Sequence, residues 1–108
     1  MKWFAFLLVL VVAAPAHAEL RLLRFASDSC PYCRQMEKVW ATIDSGLDES
    51  DVDTGERRDL VRQLGINTVP TAVLLETKDG KSREVRRLVG LKTRAQVLEF
   101  LPPKEPSP

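Results

Sequence analysis

Leu20-Arg21-Leu22-Leu23-Arg24-Phe25 runs through Ala26-Ser27-Asp28-Ser29 into Cys30-Pro31-Tyr32-Cys33, and this join of an apolar run to a pair of thiols orders the rest of the chain. The apolar run from Leu20 to Phe25 is the length of a strand. Ala26 to Ser29 form the turn. Pro31 suits the first position of a helix, because its missing N–H would have had no intrahelical partner. Met36, Val39, Trp40 and Ile43 then recur at helical spacing, so the first helix is expected over Pro31 to Asp44.

Downstream, Ser45 to Thr54 is acidic and weakly patterned, with room for a short strand around Val52. Asp53 and Glu56 have the spacing of a capping box, and Leu60, Val61 and Leu64 form one face before Gly65, which places a second helix over Glu56 to Leu64. Thr71 to Glu76 is β-rich, Lys78-Asp79-Gly80-Lys81 is a hairpin turn, and Arg83 to Val89 returns with Val85, and Leu88 or Val89, expected to face inward. Thr93 with Gln96 gives another capping box, opening a last helix that carries Ala95, Val97, Leu98, Phe100 and Leu101. The expected order is β-α-β-α-β-β-α, an α/β fold with a four-stranded mixed sheet flanked by helices.

Upstream, Lys2 precedes an uncharged run from Trp3 to Ala14, followed by Pro15-Ala16-His17-Ala18. A charged start, an apolar middle and an Ala-x-Ala end make a secretory signal peptide, with cleavage expected after Ala18. As a membrane anchor the run is too short, since it covers about 18 Å of a ~30 Å hydrocarbon core. The expected organisation is a signal peptide at 1–18, one domain at 19–101 and a disordered Pro-rich tail at 102–108. Export, to the periplasm or beyond, puts the thiols where disulfides form and persist.

The 108 residues suffice for a single small domain, and 44% hydrophobic with 29% charged residues suits a globular chain. With 16 basic and 15 acidic side chains there is no net field to draw nucleic acid or an anionic membrane. Cleavage after Ala18 takes away Lys2 and His17, leaving 15 of each sign and no histidine. Hydrolytic mechanisms that need an imidazole are thereby excluded. Two thiols fall short of the usual four zinc ligands, so no metal is expected; a copper or zinc carrier would have two chains share an ion.

The chemistry therefore rests on Cys30 and Cys33. At the start of a helix, unpaired N–H groups and the positive end of the dipole stabilise an anion, which lowers the Cys30 pKa from ~8.5. Cys30 is the expected nucleophile. Cys33, one turn on and more buried, is the expected resolving thiol. As a structural staple the pair would be poor. A four-residue loop removes roughly 2 kcal/mol of unfolded-state entropy, against about 4 for a fifty-residue loop.

Phe25 five residues before Cys30, the Cys30-Pro31-Tyr32-Cys33 motif, and Thr68-Val69-Pro70-Thr71 before a strand with Gly90 after the hairpin together resemble the thioredoxin superfamily, over Leu20 to Leu101. The resemblance implies a cis peptide at Val69-Pro70 packed against the sulfurs, with the Val69 backbone pairing to substrate. It also implies a groove shaped by Pro31, Tyr32, Thr68, Val69 and Pro70. Cys-Pro-Tyr-Cys is similar to the glutaredoxin motif, but Val89-Gly90-Leu91-Lys92-Thr93 lacks the Gly-Gly and acidic residue of glutathione-binding members. Arg24 stands where thioredoxins carry a buried Asp, so no proton acceptor for Cys33 is identified. Arg24 has two readings, a guanidinium near the thiols that favours the Cys30 thiolate or, the reading preferred, a side chain sent to solvent by strand alternation. Arg57-Arg58 and Arg86-Arg87 are read as solvated pairs.

The resulting expectation is a monomeric, cofactor-free thiol-disulfide oxidoreductase acting on protein thiols and disulfides, supplied by a membrane or periplasmic electron donor. Small exported proteins of this kind resemble those of bacterial sulfur-oxidation and cytochrome-maturation systems, which implies a reductant. The competing expectation is a non-catalytic binding module with an inert disulfide.

Overall fold

The computed structural model describes residues 19–103. The expected signal peptide and residues 104–108 of the tail lie outside the described residues. The elements are β1 (Glu19–Ala26), α1 (Pro31–Trp40), β2 (Asp48–Asp53), α2 (Arg58–Leu64), β3 (Thr71–Lys78), β4 (Lys81–Val89) and α3 (Arg94–Phe100), in the expected order. One mixed sheet is ordered β2-β1-β3-β4. β1 and β2 are parallel and joined by α1, whereas β3 runs antiparallel to both β1 and β4. Asp79 (φ 54°) and Gly80 (φ 75°) form the two-residue hairpin loop, a geometry whose twist matches the flanking strands.

Period-two alternation along β1 sorts the core into two layers. Leu20 and Leu22 point to the layer where Ala72 and Leu74 meet Met36 and Trp40 of α1 and Val97 and Phe100 of α3. Leu23 and Phe25 point the other way, to Val52, Val73, Ile66 and the apolar face of α2. Beyond the exposed Arg21, helices cover both faces of the central strand β1, which corrects the expectation of a solvated Arg24. Alternation puts Arg24 with Leu20 and Leu22, under α1. Its guanidinium lies 5.5 Å from the Trp40 ring centroid and pairs with Asp51 at 2.9 Å and Glu49 at 3.7 Å, both on β2. Nε is buried, and although it is the atom near Asp51 its N–H makes no aligned hydrogen bond.

Both of the first two helices are shorter than expected. α1 stops at Trp40, because Thr42 and Ile43 donate to carbonyls three residues back and the Thr42 hydroxyl donates to the Val39 carbonyl at 2.7 Å. Ile43 still packs on the core, from a tightened turn, which accounts for its helical spacing. The Asp53/Glu56 capping box does not form. Asp53 accepts from the Gly55 N–H at 2.7 Å and closes β2 with a turn, leaving Arg57 to start α2 without a side-chain cap. Arg57 instead hydrogen-bonds Asp59 in the first turn, which holds that carboxyl below its ordinary range. The box at Thr93 and Gln96 is complete.

β2 is longer than the short strand expected around Val52, and β4 differs in facing. Leu74 pairs with Arg86 but Leu75 pairs with Glu84, so Val85 is an extra residue in a bulge. Val85 is exposed rather than inward, whereas of the pair Leu88 and Val89 it is Leu88 that packs inward, on the α1 layer, as one of the two was expected to do. Beyond the bulge, ordinary alternation sends Arg86 and Arg87 to opposite faces. Arg86 donates to the Phe100 carbonyl at the end of α3, and Arg87 donates to the Leu64 and Gly65 carbonyls at the end of α2 while pairing with Glu84. Arg86 is exposed, as expected, while Arg87 is half-buried rather than fully solvated, and each also satisfies helix-end carbonyls that lack intrahelical partners. Arg87→Ala is expected to lower stability by about 1–2 kcal/mol, as a lower urea midpoint at unchanged slope. A change of only a few tenths would remove this role.

Candidate active site

β1 ends at Ala26, and the turn through Ser29 delivers Cys30 to the N-cap of α1. Its extended backbone (φ −106°, ψ 105°) lets Sγ accept the Cys33 N–H at 3.1 Å. The place usually taken by a Ser or Asp oxygen at a helix start is thus filled by sulfur. Pro31 occupies the first helical position, as expected. Cys30 and Cys33 form a disulfide with Cα atoms 5.2 Å apart. Each is 8% exposed, so the expected difference in burial between the two cysteines is absent. What separates them is the hydrogen bond, which favours negative charge on Cys30 once the disulfide opens.

The segment before β3 closes over this end of the sheet. Val69-Pro70 is cis, as the resemblance implied. The Thr71 hydroxyl donates to the Thr68 carbonyl at 2.6 Å, and the Gly90 N–H donates to the Pro70 carbonyl at 2.8 Å. Gly90 holds φ +87°, a conformation that a side chain would strain, so the loop after β4 is pinned to the proline. Pro70 is buried, Val69 is half-buried against the α2 layer, and Thr68 is exposed. Tyr32 is 60% exposed between the cysteines and available to a partner.

Beside the disulfide, between α1 and the carboxyl ends of β1 and β2, lies a cleft of about 520 Å³. Cys33 and Pro70 line it. Cys30, Pro31, Tyr32, Thr68 and Val69 do not, so the expected site residues fall into a rim and a single wall of this cleft. Arg24, Trp40, Met36 and Asp51 also line it and were not singled out as site residues. Met36 accepts the Lys92 N–H on sulfur at 3.5 Å, tying α1 to the loop that carries Gly90. Among the described residues, no group of three or more metal-ligating side chains is gathered, and no helix is long and apolar enough to cross a membrane.

Residues 9–102 match the family model described as a thioredoxin-like domain. Among solved structures, a thioredoxin from Thermus thermophilus is 30% identical, with 76% of this chain and 70% of that chain covered and a TM-score of 0.65. A variant thioredoxin from Halobacterium salinarum is 27% identical over 77% and 72% of the two chains, also at 0.65. The fold alone is shared with a further chain, Trxlp from Edwardsiella tarda, at 22% identity, 80% and 84% coverage and a TM-score of 0.66. No curated protein matches. With a bonded Cys-x-x-Cys at the start of α1 and that kinship over most of its length, this chain belongs to the thioredoxin-like family and is a thiol-disulfide oxidoreductase.

Proposed function

We propose that the protein is an exported, periplasmic reductant of protein disulfides, in which Cys30 attacks and Cys33 resolves. The hydrogen bond from the Cys33 N–H to Cys30 Sγ carries the assignment, because a donor on one sulfur favours that sulfur as the thiolate. In the reduced protein the Cys30 thiolate attacks a partner disulfide, one partner sulfur leaves as thiolate, and a mixed disulfide forms. Cys33 then attacks Cys30 Sγ, expelling the second partner thiolate and closing the Cys30–Cys33 bond. The partner gains two electrons and the protein loses two. Pro31, Tyr32, Thr68, Val69 and Pro70 form the surface over which the partner chain lies.

Export is supported by Lys2, the uncharged run Trp3 to Ala14 and Ala16-His17-Ala18. The direction of electron flow is supported by resemblance to small exported proteins of sulfur-oxidation and cytochrome-maturation systems. It requires an electron donor in the membrane or periplasm, and the protein acts as a monomer without a cofactor. One preparation tests both parts. Protein recovered from outside the cytoplasm is expected to begin at Glu19 and, equilibrated against dithiol buffers, to give a potential at or below about −230 mV. Retention of residues 1–18 removes cleavage after Ala18, recovery only from the cytoplasm removes export, a value of about −120 mV makes it an oxidant, and a pair that does not exchange makes it a binding module.

A further inference from the structure

Residues 19–108 carry equal numbers of acidic and basic side chains, yet the cleft beside the disulfide does not. Arg24 at its base is matched by Asp51 and Glu49. What remains on its lining is Asp28, Glu37, Asp53 and Glu56 against Arg34 alone. Glu37, Glu56 and Asp28 are exposed, and none of these four carboxylates is in an ion pair among the described residues. They come from three separate places, the turn after β1, α1, and the end of β2 with the turn that follows it, and all line one concave surface. Cys33 and Pro70 form part of the same wall and Cys30, outside the lining, is bonded to Cys33, so a partner chain joined to Cys30 lies beside the mouth of this cleft.

We infer that this cleft selects partners carrying a lysine or arginine within a few residues of their exchanging cysteine, with the basic side chain seated among Glu37, Asp53 and Glu56. The inference rests on the exchange reading and adds the class of partner to it. A basic side chain fits because its alkyl stem can lie on the apolar part of the lining, at Met36 and Leu88, while its charged head stays with the carboxylates at the rim. Such a field acts mainly on the encounter rate and is weakened by salt. An acidic partner segment would meet repulsion at the same place.

The test uses the reduced protein and two peptides, one with lysines and one with glutamates around a cysteine joined to a thionitrobenzoate leaving group. Release of the chromophore is followed, and each rate is divided by that given by dithiothreitol, so that intrinsic peptide reactivity cancels. The lysine peptide is expected to react about tenfold faster than the glutamate peptide at low ionic strength, and about twofold faster in strong salt. Glu37→Lys with Glu56→Lys, both at exposed sites, is expected to invert the preference. Equal normalised rates at low salt, or a preference that neither salt nor the double variant alters, would overturn the inference while leaving exchange intact. Failure of both peptides to react would overturn the exchange reading, and this inference with it.

Discussion

Cys33→Ser is expected to accumulate partner proteins as mixed disulfides on Cys30, seen as slower bands on non-reducing gels that collapse with dithiothreitol. Reduction of insulin disulfides by this variant should fall to the uncatalysed background. The reason lies in the division of labour between the two sulfurs. Serine at position 33 keeps the backbone N–H that reaches Cys30 Sγ, so the attacking thiolate retains its donor. It removes only the nucleophile that would release the partner, and the reaction halts after its first half. Cys30→Ser should give neither adducts nor reduction. Equal burial makes this a sharp comparison, because exposure alone does not prefer one cysteine. Adducts on Cys30→Ser would reverse the roles, a reversal with a route open to it, since Cys33 and not Cys30 faces the cleft. Absence of adducts on Cys33→Ser would remove the proposed mechanism.

The elements themselves were legible because their signals are local. Pro31 after Cys30, Asp79-Gly80 between two β-rich runs and the Thr93/Gln96 box each act within a few residues, and each element they announce is present. Errors arose where a distant partner decides. Val85 alternates correctly with its neighbours in sequence, but the bulge is a property of pairing with Leu74 and Leu75 and reverses its facing. Asp53 has capping-box spacing, yet its carboxylate is engaged by Gly55, two residues away, before α2 begins. Arg87 looks like surface charge until the end of α2 arrives beside β4, and the exposed Arg86 gains a contact at the end of α3 in the same way. The same holds at the site. The cysteines and Pro70 were readable from motif and resemblance, whereas the cleft wall of Arg24, Trp40 and Asp51 depends on β1 lying centrally with β2 on one flank. Recognising that α1 packs on the face of β1 that carries Leu20 and Leu22 would have placed Arg24 under it.

Trp40→Ala is expected to lower stability by about 3–5 kcal/mol. Trp40 is 5% exposed and packs with Leu22, Met36, Leu74, Val97 and Phe100, so its removal empties a space bounded by α1, the sheet and α3 at once. Small domains have only about 5–15 kcal/mol in total, and each kcal/mol is worth about 4–8 °C at this size. The thermal midpoint should therefore fall on the order of 15–30 °C, with the urea midpoint falling in step. Trp40→Phe keeps an aromatic face for the Arg24 guanidinium and most of the volume, and should cost about 1–2 kcal/mol. The gradation matters because α1 holds the disulfide at one end and Trp40 at the other. If packing at Trp40 anchors α1, exchange by the folded Phe variant should stay near that of the unsubstituted protein while stability falls. A Trp40→Ala cost below about 1 kcal/mol would mean that α1 is held to the sheet by other contacts, and would shift the burden to Met36 and its bond with Lys92.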